Sequence, residues 1–239
     1  IAVRQQHVRV VDDTRAWCKL LDISTDSFPS SGELAIDGRR ARGEVSRQAI
    51  LDATVRVIAA GGLTSVSHRA VASEAGVSTA LTTYHFATLD DLLQATLSSL
   101  SARGVGRLAA ATELAESGAI TLAAAATSFL IEELGSNREA FIANLELQFA
   151  SVRRPDWSTV MTNSYDAFVE LIQQYVGDEQ AARAIFSAAF GFAVHHVIQG
   201  GRPTDATCRR FVEDLVAHYD VSEPNLSRSK GTRRTNDEH

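Results

Sequence analysis

"ASEAGVSTALTTYHF", residues 72–86, decides how this chain is read. Gly76-Val77-Ser78 closes one short helical pattern and opens another, crowded with hydroxyls and flat rings. A helix that only packed a core would not gather Thr79, Thr82, Thr83, Tyr84 and His85, because its inward stripe should be apolar. Gly76 suits the left-handed residue that ends a helix, and Ser78 is a good N-cap for the next. Two short helices joined by a tight Gly-containing turn make a helix-turn-helix, whose second helix enters the major groove of DNA. Ala72 is then small where the helices cross, and Val77 can plug the crevice between them. Hydroxyls reach phosphates or base edges, and Tyr and His bond phosphate or touch a thymine methyl.

Outward from this stretch the pattern stays helical. From Glu44, Ile50, Ala53, Val57 and Ile58 recur at helical spacing until Gly61-Gly62. A short helix follows from the cap Ser67 to about Ala75, and another from Ser78 to about His85. Thr88 opens a long fourth helix with the stripe Leu89, Leu92, Leu93, Leu97 and Leu100. Asp90 and Asp91 sit favourably against the positive end of its macrodipole. Further helices are expected near 120–134, 137–151, 156–176, 179–199 and 204–219, with Ser136 and Glu139 at capping-box spacing. No stretch alternates as a strand.

The predicted fold class is therefore all-α. A three-helix helix-turn-helix DNA-binding domain, 39–87, precedes a larger C-terminal helical domain, 88–220. Residues 1–38, with weak periodicity and the loop-like "STDSFPSSGE", are expected to be disordered, as is the polar tail 221–239. The chain begins with Ile rather than Met, so it reads as a fragment or an unusual start, which leaves open whether part of 1–38 is natively translated.

The 239 residues, 45% hydrophobic and 22% charged, suit an ordinary globular protein of one or two domains. A net charge of −6 hides an asymmetry. Residues 39–89 carry a net +3, whereas 91–220 carry −7, so only the first piece is suited to meet a polyanion. Cys18 and Cys208 lie far apart and form neither metal spacing nor a disulfide framework, which fits a reducing cytoplasm. The N-terminus shows no basic start followed by an apolar run. The apolar stretch 184–198 reads as too short to span a bilayer, and no membrane association is expected.

Over residues 44–93 the chain resembles the tetracycline-repressor (TetR) family of transcriptional regulators. The pieces that carry the resemblance are "RQAILDA" (47–53), "GGLTSVS" (61–67), "ASEAGVS" (72–78) and "YHF" (84–86), followed by the amphipathic fourth helix. By that resemblance Ser67, His68 and Arg69 contact phosphates or a base edge. Ser78, Thr79, Ala80, Thr83, Tyr84 and His85 face the groove, and Arg39, Arg40 and Arg42 form a basic arm. Phe86 is read as a core plug beneath the recognition helix. The sequence departs from the common family pattern at Ala80, often Gly, at Thr82-Thr83, often Leu-Tyr, and at Leu89, often Lys.

The resemblance also implies that the larger body binds a small, largely apolar ligand and forms a homodimer that reads a palindromic site on double-stranded DNA. The sequence agrees on dimerisation. "AARAIFSAAFGFAVHHVIQG", 181–200, is apolar or small on nearly every face, and its companion helix has the stripe Met161, Tyr165, Phe168, Val169 and Ile172. Two such helices from each subunit can build a four-helix interface. Candidate pocket residues are Phe141, Gln148, Phe149, Trp157, Tyr165, Phe168, Phe192 and His195, with His196 a further polar member. No cofactor or metal is implied, since the His pair has no companions at ligand spacing.

The expected function is a ligand-responsive repressor, with activation left open. No nucleophile elbow, phosphate loop or zinc-protease motif supports an enzyme. The alternative is a helical dimer that binds a ligand or partner and has lost its operator.

Overall fold

The computed structural model describes residues 31–219 and 221, with side chains from residue 41 onward. Among the described residues there are helices and turns and no strand. The helices are α1 (Ser31–Gly61), α2 (His68–Ala75), α3 (Thr79–His85), α4 (Leu89–Glu116), α5 (Leu122–Leu134), α6 (Arg138–Ser151), α7 (Ser158–Val176), α8 (Glu179–Ile198) and α9 (Asp205–His218). Short 3-10 turns at Leu63–Ser65 and Pro155–Trp157 lead into α2 and α7.

Helix α1 begins at Ser31, not near Glu44, so residues 31–38 are helical where disorder was expected. Helix-forming residues such as Glu33, Leu34 and Ala35 let an existing helix propagate backward, since each added residue gains a bond without a new nucleus. A boundary between two compact units falls inside α1, between Ser46 and Arg47. The core, caps and cavity below belong to the second unit. The disorder expected of 1–30 and of the tail beyond Val221 lies outside the described residues.

Caps explain most of the helix starts. Ser67 accepts from Ala70 N at 3.0 Å, and Ser78 from Leu81 N at 3.2 Å. Thr88 and Asp91 form a reciprocal capping box at the head of α4. The box expected at Ser136 does not form: Asn137 is the N-cap and makes no side-chain bond. The reason is local. Gly135 N and Asn137 N both turn back to Glu132 O, so Ser136 belongs to the end of α5 and its hydroxyl points back to that carbonyl.

One core cluster runs through the DNA-reading head and into the body. It takes in Ile50, Ile58, Val71 and Phe86 together with Leu92 and Leu97 of α4, Ala143 and Leu147 of α6, and Trp157. No break in packing falls at 87/88. The indole of Trp157 is fully buried and donates to Asp90 Oδ2 at 3.0 Å, while Arg154 bonds Asp90 Oδ1 and covers the ring. A second tie is Glu146 of α6, which accepts the Leu63 amide at 2.9 Å.

Helix α8 corrects one expectation. It runs for 20 residues, and its most apolar 18-residue window has a mean hydropathy of 1.4, so by length and composition it is long and apolar enough to cross a membrane. The helix reaches back to Glu179, beyond the apolar run on which the shorter estimate rested. Only 11% of that window is buried within the chain. Past its first turn, its exposed positions, Ser187, Gly191, His195 and Ile198, fall on one face at helical spacing.

Candidate functional site

The first site is the outer surface of α2 and α3. Gly76, at φ 67° and ψ 30°, takes the left-handed conformation that lets the chain reverse between the two helices. Ala72 is buried at the crossing, and Val77 packs against the core. Arg56 of α1 binds Glu74 at 2.5 Å and fixes α2 from behind.

Helix α3 then divides cleanly. Thr82 and the C-cap residue Phe86 are buried, and Leu81 is half-buried. Ser78, Thr79, Ala80, Thr83 and Tyr84 are exposed, Tyr84 at 81%. The hydroxyls crowded into this helix therefore have two uses. Thr82 turns inward and donates to Thr79 O at 2.7 Å, which satisfies a buried polar group. Thr79 and Thr83 look outward, Thr83 lending its proton to the carbonyls of Thr79 and Ala80. His85 is half-buried against the edge of Tyr84.

At the start of α2, Ser67 and Arg69 are exposed and His68 is half-buried, with a buried Nδ1 that has no partner. Ser67 and Ser78 have already used an acceptor lone pair as caps, which leaves each an O–H to donate. Arg42 is exposed on α1; the side chains of Arg39 and Arg40 lie outside the described residues. Leu89, where a Lys was noted as common, is a half-open apolar side chain at 36%.

The second site is a cavity of about 470 Å³ in the body, lined from α4 to α9. Of the candidates named from sequence, Phe141, Gln148, Tyr165 and Phe168 line it. The other four do not. Phe149 is 70% exposed, being one residue, some 100°, around α6 from Gln148. Trp157 is held in the core by Asp90. Phe192 stacks on Phe211 of α9 at 4.2 Å, and His195 is exposed. His196, the further polar candidate, bonds Phe192 O through Nδ1 at 2.9 Å and is absent from the lining. Met161, Tyr165, Phe168 and Ile172 of the α7 stripe line the cavity. Gly104 of α4 allows that approach, since a Cβ there would sit 3.2 Å from Phe168.

Sequence reasoning missed the charged members of the lining. Arg107 of α4 and Glu133 of α5 pair inside it, at 2.7 Å from Nε and 2.5 Å from Nη2 to Oε1. Burial raises the Glu133 pKa above its ordinary 4.5, and Arg107 pulls it back down. A signal was present. Ala126, Phe129, Leu130 and Glu133 form one helical stripe, so a carboxylate stands on the apolar face of α5. Asn144 of α6 was also missed; its Oδ1 is buried without a hydrogen-bond partner. Among the described residues no group of three His, Cys, Asp or Glu is placed to hold a metal.

A reading head of two short capped helices, joined to a helical body with an aromatic cavity, is the architecture of a DNA-binding transcriptional regulator. Residues 50–96 match the family described as bacterial regulatory proteins, tetR family, and residues 117–218 match the tetracyclin repressor-like C-terminal domain. The fold is similar to that of the multidrug binding protein EbrR complexed with imidazole, at 32% identity and a TM-score of 0.58, over 71% of this chain and 93% of that one. It is equally similar to a TetR-family member from Streptomyces coelicolor A3, at 32% identity and a TM-score of 0.61, over 71% and 97%. No curated protein matches the chain. The chain belongs to the TetR family of transcriptional regulators.

Proposed function

We propose that this protein is a ligand-responsive repressor that acts in the cytoplasm as a homodimer on a palindromic operator. The observation that carries the reading is the split character of α3, with Thr82 and Phe86 locked inward and Thr79, Ala80, Thr83 and Tyr84 left facing out. Such a surface takes no part in the core, and its hydroxyls and phenol suit phosphates and base edges. Ser67, His68 and Arg69 flank it with donors, together with Ser78 and His85. Arg39, Arg40 and Arg42 supply a basic arm.

The partner for the uncovered face of α8 is a second copy. Ser187 and Gly191 allow close helix approach, and the 11% burial of this apolar helix leaves area for a symmetric interface. The dimer then sets the two α3 helices about 34–36 Å apart, one turn of duplex. Ligand entry into the cavity shifts α4, whose Leu92 and Leu97 share the core of the head. That shift favours a state in which the heads miss the groove spacing. The cavity falls within the ~300–1,000 Å³ of ordinary small-molecule sites, and the similar protein EbrR has been crystallised with ethidium, proflavin and malachite green.

Binding to DNA from upstream of its own gene, followed by anisotropy across a salt series, tests the reading. A repressor of this kind loses affinity steeply with salt and prefers its operator over random duplex by roughly 10³-fold or more. Equal, weak binding to both duplexes would leave only a ligand-binding helical dimer.

A further inference from the structure

We propose that the cavity's ligand is a flat aromatic cation, recognised by exchange of an ion pair: its positive charge takes the Glu133 carboxylate away from Arg107. The inference rests on the reading of the cavity as the effector site.

Four observations carry it. The first is the asymmetry of the pair. The Glu133 side chain is 11% exposed and that of Arg107 29%. An arriving anion would claim Arg107 and strand a carboxylate among aromatic rings, which is strongly unfavourable for a buried charge. An arriving cation strands Arg107 instead, and that side chain already reaches water. The second is the wall. Phe168 and Phe186 lie 5.1 Å apart, Phe186 and Phe190 stack at 14°, and Tyr165 meets Phe186 edge-on at 5.2 Å. Ring faces carry negative potential and attract cations more than anions.

The third is an unused acceptor, Asn144 Oδ1, buried in the same lining without a donor. A ligand N–H would satisfy it. The fourth is the field. Residues 91–220 carry a net −7, which draws cations toward the body and repels anions.

The exchange is also a regulatory device. Arg107 lies on α4, so losing its bond to Glu133 removes a polar link between α5 and the helix that begins at the reading head. A neutral ligand of the same shape fills the cavity but leaves that tie intact.

The test uses the full chain with two probes that share a ring system. Ethidium is a permanent cation, and phenanthridine is its uncharged parent. Calorimetric titration of the wild type should show ethidium binding at least about tenfold tighter. Glu133→Gln should weaken ethidium by about 10- to 100-fold and leave phenanthridine unchanged. Arg107→Met removes the rival cation and should tighten ethidium, a sign opposite to that of Glu133→Gln and one that misfolding does not produce. Equal binding of both probes, insensitive to either variant, overturns the charge exchange while leaving the cavity as the effector site. If neither probe binds, the effector-site reading fails together with the exchange. Weaker ethidium binding by Arg107→Met also overturns the exchange.

Discussion

The reading head and the body are built on different economies of packing. In the head, Ile50, Ile58, Val71 and Phe86 are 4% exposed or less, and every short helix is closed by its own cap. The body holds a cavity of about 470 Å³ and a buried ion pair within a wall of rings. A tight head presents its outer side chains at fixed positions, which groove recognition needs. A body with internal space can settle in more than one arrangement, which a ligand switch needs. The two are joined by contacts that keep them from moving independently: Glu146 on the Leu63 amide, and Asp90 gripped by Trp157 and Arg154.

That contrast is open to measurement. Phe86→Ala should be the most damaging change, costing about 3–5 kcal/mol in chemical denaturation. Phe168→Ala on the cavity wall should cost less than half as much, because its surroundings already include space. Equal losses would erase the contrast. Arg69→Ala, on the exposed start of α2, should weaken operator binding by about 1–3 kcal/mol while the melting temperature stays put. Unchanged affinity would remove Arg69 from the contact surface. Ser67→Ala takes away the cap on Ala70 N and should lower stability by about 1 kcal/mol, visible as a small shift in the denaturation midpoint.

The smallest effect concerns pH. Burial raises the Glu133 pKa above 4.5, so the folded state holds that proton more tightly than the unfolded chain does. Its contribution is fully present below the ordinary carboxylate value and is lost as pH rises through the raised one. Replacing Glu133 by Gln should flatten that part of the stability–pH curve. A wild-type curve matching the variant's through this window would show that Arg107 fully offsets the burial.

The head was legible because its signals are local. Gly76, Ser67, Ser78 and Thr88 act on backbone within three or four residues, so their roles follow from spacing. The body was half legible. Phe141, Gln148, Tyr165 and Phe168 reached the cavity, whereas Phe149, Trp157, Phe192 and His195 did not, and His196 turned to a backbone carbonyl. Counting aromatics names the residues that favour burial but not the direction in which each helix turns them.

The amino-acid order alone determined the all-α class, the turn at Gly76, the caps of the short helices and the opposed charges of head and body, since each depends on neighbours along the chain or on summed charge. Only tertiary packing decided which rings line the cavity, that Glu133 meets Arg107 across α4 and α5, and that head and body share a core. Those outcomes depend on the rotation of whole helices against one another, set by many weak contacts between residues far apart in sequence.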